Sequence, residues 1–326
     1  MQNSENTFFS VIIPAYNEAA HIKKCIESVK ANANEKLKFE IIVVDDGSTD
    51  GTIEIVKESG IKIIENTEGI IKNISVLRNI GEKASQGMVL AFLDADMIVP
   101  GNWLKKANAH FYDGFEGAVG FAEKVPSSAG WVGKTWGNRL SLKHDKATNV
   151  DFLPGSNIFV NRHVFEMIGG FNETLRTAED KDLTFRVLQA GFRVISVPDI
   201  SVIHLGYEKN LWEFLRKEFW RQGSTLQLAK LWGFSFRTLR NPIMSFWHIF
   251  LFFAAILSIS TLNSTFTPLL VLIWICPSIL IALSSVGFKK SSSFLLPLFV
   301  LTFLRWHASG LALLTQFIRK MPPGKI

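Results

Sequence analysis

Two carboxylates, Asp94 and Asp96, follow an uninterrupted run of six apolar residues at positions 88–93. A short apolar run without alternation is typical of a strand buried on both faces, as in a parallel sheet. Because residues i and i+2 of an extended chain point the same way, the two side chains are predicted to face one spot at the end of that strand. Like charges this close are costly unless a cation lies between them. The pair therefore predicts a site for Mg²⁺ or Mn²⁺ shared with substrate phosphates, although an isolated Asp-x-Asp pair is more often a solvated turn.

Two further carboxylate clusters stand at the ends of predicted elements. Asp45 and Asp46 follow an apolar run at residues 39–44, and Glu179 and Asp180 open a helix that starts near residue 178. Taken singly, each cluster is compatible with an ordinary turn or helix cap. The order and spacing of all three clusters together are more specific than any one cluster.

Predicted strands and helices alternate through the first hundred residues. Between the strands, apolar residues recur at helical spacing. This alternation predicts a doubly wound α/β sheet, in which ligands bind beyond the carboxyl ends of the strands. The first and second carboxylate clusters lie at such ends. The predicted strands are residues 9–14, 39–44, 61–64, 88–93, 117–121, 158–160, 192–197 and 202–204, with a long loop containing one helical piece at 126–150.

The overall composition narrows the class of protein. The 326 residues carry a net charge of +6, which is compatible with a nucleic acid, an anionic membrane or a phosphorylated substrate as partner. Cys25 and Cys276 are the two cysteines of the sequence, so we expect neither a disulfide framework nor a cysteine metal site. The polar N-terminus has no signal-peptide layout, and we expect the first domain to stay in the cytosol.

The C-terminal part has a different composition. No Asp, Glu, Lys or Arg occurs from residue 242 to residue 288. Two apolar runs, 243–262 and 266–287, each reach the roughly 20 residues that a spanning helix needs. Basic residues before and after the pair predict a hairpin of two spans with both outer flanks in the cytosol; these are Arg237, Arg240, Lys289 and Lys290.

A third apolar segment, 294–318, contains Arg305 near its centre. A charge there costs at least roughly 2.5–3.5 kcal/mol on an insertion scale. A third span and a re-entrant or interfacial segment are both compatible with this sequence. In either case Arg305 has two predicted roles, which are contact with a lipid phosphate and snorkelling to the interface.

The stretch 206–241 is basic and aromatic. Seven Lys or Arg residues stand against three Glu between residues 205 and 241, with several Trp and Phe among them. This composition suits helices that lie in the headgroup layer of a membrane.

Five segments together resemble the family 2 glycosyltransferases with a GT-A fold. They are SVIIPAYNE at 10–18, VVDDGSTDGT at 43–52, RNIG at 78–81, FLDAD at 92–96 and EDKDL at 179–183. The resemblance covers roughly residues 8–230. It implies a GT-A domain, which is a Rossmann-like mixed, mostly parallel sheet with helices on both faces, followed by C-terminal transmembrane helices. The expected layout is a nucleotide-sugar-binding catalytic domain at 1–205, interfacial helices at 206–241 and a membrane domain at 242–326.

The resemblance also implies roles for individual residues. The nucleotide pocket is expected to be lined by Pro14, Ala15, Tyr16 and Glu18, with Arg78 nearby. Asp45 or Asp46 is expected to meet the base, commonly uracil, and Asp94 the ribose side. Asp96 is expected to hold Mg²⁺ or Mn²⁺ on the diphosphate, and Asp180 to be the general base with Glu179 beside it. His204 matches a position that approaches the metal in some members, and a packing role for it stays open.

The implied function is a membrane-bound inverting glycosyltransferase. It would move a sugar from a nucleotide-sugar donor, UDP-linked as the first expectation, to a lipid or lipid-linked acceptor hydroxyl. One base without a protein nucleophile implies a single displacement with inversion. The segment 216–223 lacks a clear processive signature, which favours one sugar per encounter.

Other functions remain open at this point. One is a polyprenyl-phosphate glycosyltransferase, whose phosphate acceptor needs little help from a base. Another is a non-catalytic membrane protein that binds nucleotide sugars. A nicotinamide-binding domain is excluded because no Gly-x-Gly-x-x-Gly follows the first strand, and no nucleic acid is expected as a partner.

Overall fold

The computed structural model of the chain describes residues 8–33, 37–66, 73–111, 116–137, 139, 146–234, 236–260, 266–286 and 292–318. These residues form two compact units. The first unit contains the described residues up to 128 and from 146 to 207. The second contains residues 129–139 and the described residues from 208 onward. The segment 129–139, which the sequence analysis included in the catalytic domain, therefore packs with the C-terminal unit.

The secondary structure follows the predicted alternation. The strands are β1 (Phe8–Ala15), β2 (Lys38–Asp45), β3 (Lys62–Glu65), β4 (Val89–Leu93), β5 (Met97–Ile98), β6 (Glu116–Gly120), β7 (Thr148–Asn149), β8 (Asn157–Asn161), β9 (Arg193–Ser196) and β10 (Ile203–His204). The helices are α1 (Ile22–Lys30), α2 (Thr52–Glu58), α3 (Ile74–Lys83), α4 (Trp103–Asn108), α5 (Trp131–Gly137), α6 (Arg162–Met167), α7 (Glu179–Gln189), α8 (Leu211–Trp220), α9 (Thr225–Leu231), α10 (Phe236–Ser260), α11 (Thr267–Val286) and α12 (Leu295–Ile318).

The described strands form a mixed sheet of eight in the order β3-β2-β1-β4-β8-β6-β9-β7. Neighbours are parallel from β3 through β4 and again between β6 and β9. The strand β8 runs antiparallel to both β4 and β6, and β7 antiparallel to β9. The carboxyl ends of β1, β2 and β4 therefore meet at one edge, and this edge is where an α/β sheet binds its ligand.

Both faces of the sheet are buried. On β1, Phe9, Val11 and Ile13 pack on one face with α1, while Ile12 points to the other face. Val89 and Leu90 of β4 divide between the two faces in the same way. Because neither face of these strands meets water, their sequences read as continuous apolar runs.

In the described part of the second unit, three helices are long and apolar enough to cross a membrane, at Thr238–Ser260, Thr267–Ser285 and Leu295–Gln316. The sequence analysis left the third segment open, and it forms one continuous helix, α12. The helix α10 begins before Pro242 and includes it. The helix therefore starts before the apolar run predicted from residue 243, and Pro242 is a proline inside the helix, where it cannot donate a backbone hydrogen bond. The flanking Lys289 and Lys290 lie outside the described residues.

Arg305 has a partner within the protein. Its Nε donates to Glu218 Oε2 of α8 at 3.0 Å. For Arg305 the sequence predicted contact with a lipid phosphate or snorkelling, and it did not predict this ion pair. The paired carboxylate lies 87 residues away in the sequence, and composition alone does not show such pairs.

Candidate active site

The loops after β1 and β2 are tied together by hydrogen bonds. The backbone N of Asn17 donates to Ser48 Oγ at 2.8 Å, and the backbone N of Thr49 donates to Asn17 Oδ1 at 2.8 Å. The backbone N of Glu18 donates to Thr52 Oγ1 at 2.8 Å. Asn17 itself has a positive φ of 55°, a conformation that asparagine tolerates better than most residues. These bonds fix the loop that carries the predicted nucleotide-pocket residues Pro14, Ala15, Tyr16 and Glu18.

The two aspartates after β2 are buried and have different partners. Asp45 accepts hydrogen bonds from the backbone N of Gly47 and Ser48 at 2.9 and 2.8 Å, so it forms the turn. Asp46 Oδ1 accepts from Asn66 Nδ2 at 2.8 Å. Of the two, Asp46 is therefore the better candidate for a base contact. Asn66 directly follows β3 at the same sheet edge, and that position is the signal by which the sequence analysis could have found it.

Asp94 and Asp96 do not lie on an extended strand. The strand β4 ends at Leu93, and the chain then turns, with the backbone N of Met97 donating to Asp94 O at 3.2 Å. The argument that residues i and i+2 point the same way is therefore wrong here, because it requires an extended backbone. The two carboxylates are held separately, Asp94 by Arg78 at 2.9 Å and Asp96 by His204 at 3.0 Å. Burial raises the pKa of Asp94, Arg78 lowers it, and the charge of Asp96 raises it again.

Arg78 joins two of the carboxylate clusters. Its Nη2 donates to Asp94 Oδ1 at 2.9 Å and to Gly155 O at 3.0 Å, and its Nη1 donates to Glu179 Oε1 at 2.9 Å. The side chain is 1% exposed, and a Cβ at position 155 would lie 2.8 Å from Nη1. The resemblance places Arg78 near the nucleotide; in the structure it lies beneath the site, where it can orient two acidic groups.

The third cluster opens α7. Ala178, which precedes it, has a φ of 63°, a left-handed conformation that costs a non-glycine residue of order 1–3 kcal/mol and often marks functional sites. Asp180 accepts from the backbone N of Lys181 at 2.8 Å and of Gly155 at 3.2 Å. Burial raises the pKa of Asp180. Burial and then the charge of Asp180 raise the pKa of Glu179 to about 7, against the opposing effect of Arg78.

His204 lies beside the Asp-x-Asp pair because β10 pairs with β5, which follows Asp96 directly. Its Nε2 is 3.0 Å from Asp96 Oδ2, and its Nδ1 is 3.9 Å from Glu123 Oε1. Glu123 also accepts from Ser156 Oγ at 3.1 Å. Glu123 was not among the predicted site residues, since it lies in an irregular segment after β6 and belongs to no motif.

The donor set fits a metal that shares its ligands with a substrate. Among the described residues, no group of three or more His, Cys, Asp and Glu side chains is arranged to hold an ion. Asp96 and His204 nevertheless offer an oxygen and a nitrogen 3.0 Å apart. Mg²⁺ and Mn²⁺ in phosphate-handling sites take one or two protein carboxylates and complete their shell with phosphates and water. Asp96, with His204 beside it, is therefore the group that would hold such an ion.

Gly206 leaves room for Asp96. A Cβ at this position would overlap Asp96 Oδ2 and would lie 3.3 Å from His204 Nε2. We therefore expect Gly206→Ala to displace the Asp96 carboxylate and to weaken Mn²⁺ binding by about tenfold, as the loss of a metal-orienting contact does. Titration of Mn²⁺, followed by electron paramagnetic resonance with the full chain, measures this.

Gly101→Ala is the matched control for this substitution. The nearest atom to a Cβ at position 101 is Ala31 O at 4.0 Å, so Mn²⁺ binding should stay as in the wild type. Equal affinities of the two variants would show that the space at Gly206 does not matter for the ion.

A mixed α/β sheet with acidic clusters at the carboxyl ends of its strands is the architecture of a GT-A glycosyltransferase, and the comparisons with known proteins agree. Residues 10–169 match the model of "Glycosyl transferase family 2". "Glycosyltransferase AglE" of Haloferax volcanii is 30% identical over 218 residues, which are 65% of this chain and 71% of that protein. The chain belongs to glycosyltransferase family 2, and this membership favours an enzyme over a non-catalytic binding protein.

Two further proteins are similar to this chain over different shares of its length. "Undecaprenyl-phosphate 4-deoxy-4-formamido-L-arabinose transferase" of Aeromonas hydrophila is 27% identical over 159 residues, 46% of this chain and 47% of that protein. The structure titled "Mannosyltransferase PcManGT from Pyrobaculum calidifontis in complex with GDP-Man and Mn2+" superposes with a TM-score of 0.60 at 19% identity. It covers 96% of this chain and 88% of that one. The likeness in fold thus reaches beyond the sheet into the C-terminal helices.

Proposed function

We propose that this glycosyltransferase moves a sugar from a nucleotide-sugar donor, UDP-linked in the first instance, to a lipid or lipid-linked acceptor hydroxyl with inversion. The observation that carries the proposal is the joining of Asp94 and Glu179 through the buried Arg78. This contact brings the donor-side carboxylates and the proposed base into one site. A donor-binding protein without transfer activity would need only the first of these groups.

The chemistry assigns a task to each group. A divalent cation, when bound, supplies the positive charge that stabilises a leaving diphosphate. Asp96 and His204 would hold it, and Asp94 would orient the donor. Asp180 would accept the proton of the attacking hydroxyl, which requires its ionised form. Glu179 and Arg78 would hold Asp180 and Asp94 at a fixed separation.

A second candidate acceptor is a polyprenyl phosphate. The relative from Aeromonas hydrophila carries undecaprenyl phosphate in its name, and three helices of this chain are long and apolar enough to cross a membrane. A phosphate dianion attacks without giving up a proton, so this reaction would not depend on Asp180. The two candidates thus share the donor site and differ in their need for a base.

The test of the proposed function is a donor screen. Membranes containing the full chain would be incubated with UDP-glucose, UDP-N-acetylglucosamine or GDP-mannose, each with Mn²⁺ or with EDTA. Metal-dependent release of UDP, with transfer of label to the lipid fraction, is expected for one UDP-sugar. Transfer from GDP-mannose alone would overturn the UDP assignment, and tight UDP binding without turnover would overturn the activity.

We also propose that the protein is a multi-pass protein of the cell membrane with its catalytic unit in the cytosol, where nucleotide sugars are made. In a variant lacking Cys25 and Cys276, single cysteines would replace Ser4 or Ser264. An impermeant thiol reagent added to intact cells should label position 264 and leave position 4 unlabelled. Permeabilised cells, in which both positions should react, provide the control. Labelling of position 4 on intact cells would reverse the orientation.

A further inference from the structure

A cluster of charged side chains lies within the second unit, on α8 and α12 and in the segments beside them. The carboxylate of Glu218 is 2% exposed and accepts hydrogen bonds from Arg221 Nη1 and, at 3.0 Å, from Arg305 Nε. Glu208, also buried, accepts from Arg221 Nη2 at 2.7 Å, and Lys217 Nζ lies 4.0 Å from it. Arg305 is thus one member of a network and not a lone charge in an apolar helix.

Cationic side chains keep both carboxylates of this network ionised. Burial raises the pKa of Glu218, but Arg305, Arg221 and Arg139 more than offset it, and the net shift is downward. The pKa of Glu208 is likewise lowered, by Arg221 and Lys217 against the effect of burial. Both carboxylates are therefore ionised at neutral pH. Among the described residues, Glu218 faces three guanidinium groups, and Glu208 faces one guanidinium and one ammonium group.

Two tryptophan rings lie next to the network, and their indole N–H groups have no hydrogen-bond partner in the part of the chain that the structure describes. Trp136 and Trp306 are each 3% exposed, and the structure gives their Nε1 atoms no partner among the residues it describes. The guanidinium carbon of Arg305 lies 5.6 Å from the ring centroid of Trp136 and 4.9 Å from that of Trp306. Arg305 uses only its Nε in the ion pair with Glu218. Because buried polar groups are normally paired, these donors indicate a ligand that accepts hydrogen bonds.

The surroundings indicate that this ligand is part of a lipid. On α8, Trp212 is 74% exposed, Trp220 52% and Phe219 41%, and Trp131 on α5 is 50% exposed. Exposed aromatic side chains next to cationic ones are typical of the headgroup layer of a membrane. The acceptor of hydrogen bonds that this layer supplies in quantity is phosphate.

We propose that Arg305, Trp136 and Trp306 bind the phosphate group of a membrane lipid. Two sources share this chemistry, the phosphate monoester of a polyprenyl acceptor and the phosphodiester of a bulk anionic phospholipid. The proposal rests on the association of the second unit with a membrane. It does not depend on the transfer reaction, and its test needs no nucleotide sugar.

The test uses the full chain purified in dodecyl maltoside without donor. Binding of farnesyl phosphate, short-chain phosphatidylglycerol, farnesol and inorganic phosphate would be measured by microscale thermophoresis. Farnesyl phosphate is expected to bind at least about tenfold more tightly than farnesol or inorganic phosphate, since hydrogen bonds to a charged group are worth more than neutral ones. If phosphatidylglycerol binds as tightly, bulk phospholipid is the source, and if it binds more weakly, the polyprenyl monoester is the source.

Two variants test whether farnesyl phosphate binds at this network. Trp136→Phe keeps the ring and removes only the N–H, and should weaken farnesyl phosphate binding by about three- to tenfold. Glu218→Gln combined with Arg305→Gln removes both charges of the ion pair. The two changes are made together because a lone buried charge would destabilise the fold. This double variant should weaken farnesyl phosphate binding by at least about tenfold.

Arg240→Gln, on the exposed face of α10, is the matched control and should bind as the wild type does. Equal binding of farnesol and farnesyl phosphate would overturn the proposal. So would wild-type affinity in Trp136→Phe and in the double variant. Should the double variant unfold, Trp136→Phe decides alone, since it changes no charge.

Discussion

Asp96→Asn is expected to lower turnover by about 10²–10³-fold, the loss that follows removal of one group stabilising the charge of a transition state. The amide has nearly the shape of the carboxylate and can keep the contact with His204, which lies 3.0 Å away. It lacks the negative charge that a divalent cation requires in this position. The fold should therefore persist while the metal-dependent step fails. Initial rates measured across a Mn²⁺ titration, together with thermal unfolding, separate the two effects.

Asp199→Asn is the matched control for this substitution. Asp199 lies on a surface turn of the same unit, and its side chain is 74% exposed, so its amide variant should keep the rate and the metal dependence of the wild type. If Asp96→Asn turned over at the wild-type rate in EDTA, the assignment of Asp96 to the metal would be wrong. A large fall in unfolding temperature would instead make Asp96 a structural residue.

The sheet was predictable from the sequence because its strands are buried on both faces. Such strands must be continuously apolar, and the runs at 39–44 and 88–93 coincide with β2 and β4 to within a residue or two. The site edge was predictable for the same reason, since polar residues directly after a buried strand mark its carboxyl end. The apolar pattern does not predict the backbone conformation after the strand. The turn at Asp94 was therefore not expected.

The partners of charged groups were not predictable. Arg78 contacts Glu179 across 101 residues of sequence, and Arg305 contacts Glu218 across 87. These pairs depend on how the helices pack, and the packing cannot be predicted from composition. The same limit applies to residues 129–139, which join the second unit through Trp136, whose ring packs against Phe214 of α8 at 5.0 Å. A short helix in a long loop does not reveal which unit will bury it.

The second large effect is expected at Asp180. Asp180→Asn should lower turnover by about 10²–10⁴-fold if the acceptor is a hydroxyl, because the amide cannot take the proton of the attacking group. Donor affinity should change little, since the structure places Asp180 with Gly155 and Lys181 and not with the nucleotide loops. Single-turnover rates and UDP binding, measured on the same preparation, give the loss of turnover and the change in donor affinity. Near-normal turnover would favour the phosphate acceptor, and a large loss of UDP affinity would make Asp180 a donor-binding residue.

The pH dependence gives an independent measure of Glu179, the carboxylate next to Asp180. The pKa of Glu179 is raised to about 7 by burial and by Asp180, so Glu179 gains a proton as the pH falls through about 7. Protonation removes the Glu179 charge that pairs with Arg78, which also holds Asp94, and the wild-type rate is therefore expected to fall below that pH. Glu179→Gln removes the neighbouring carboxylate that titrates, and it should move this decline to lower pH while keeping part of the turnover. A decline at unchanged pH in Glu179→Gln would show that another group titrates, and the role of Glu179 in holding the site would then have to be given up.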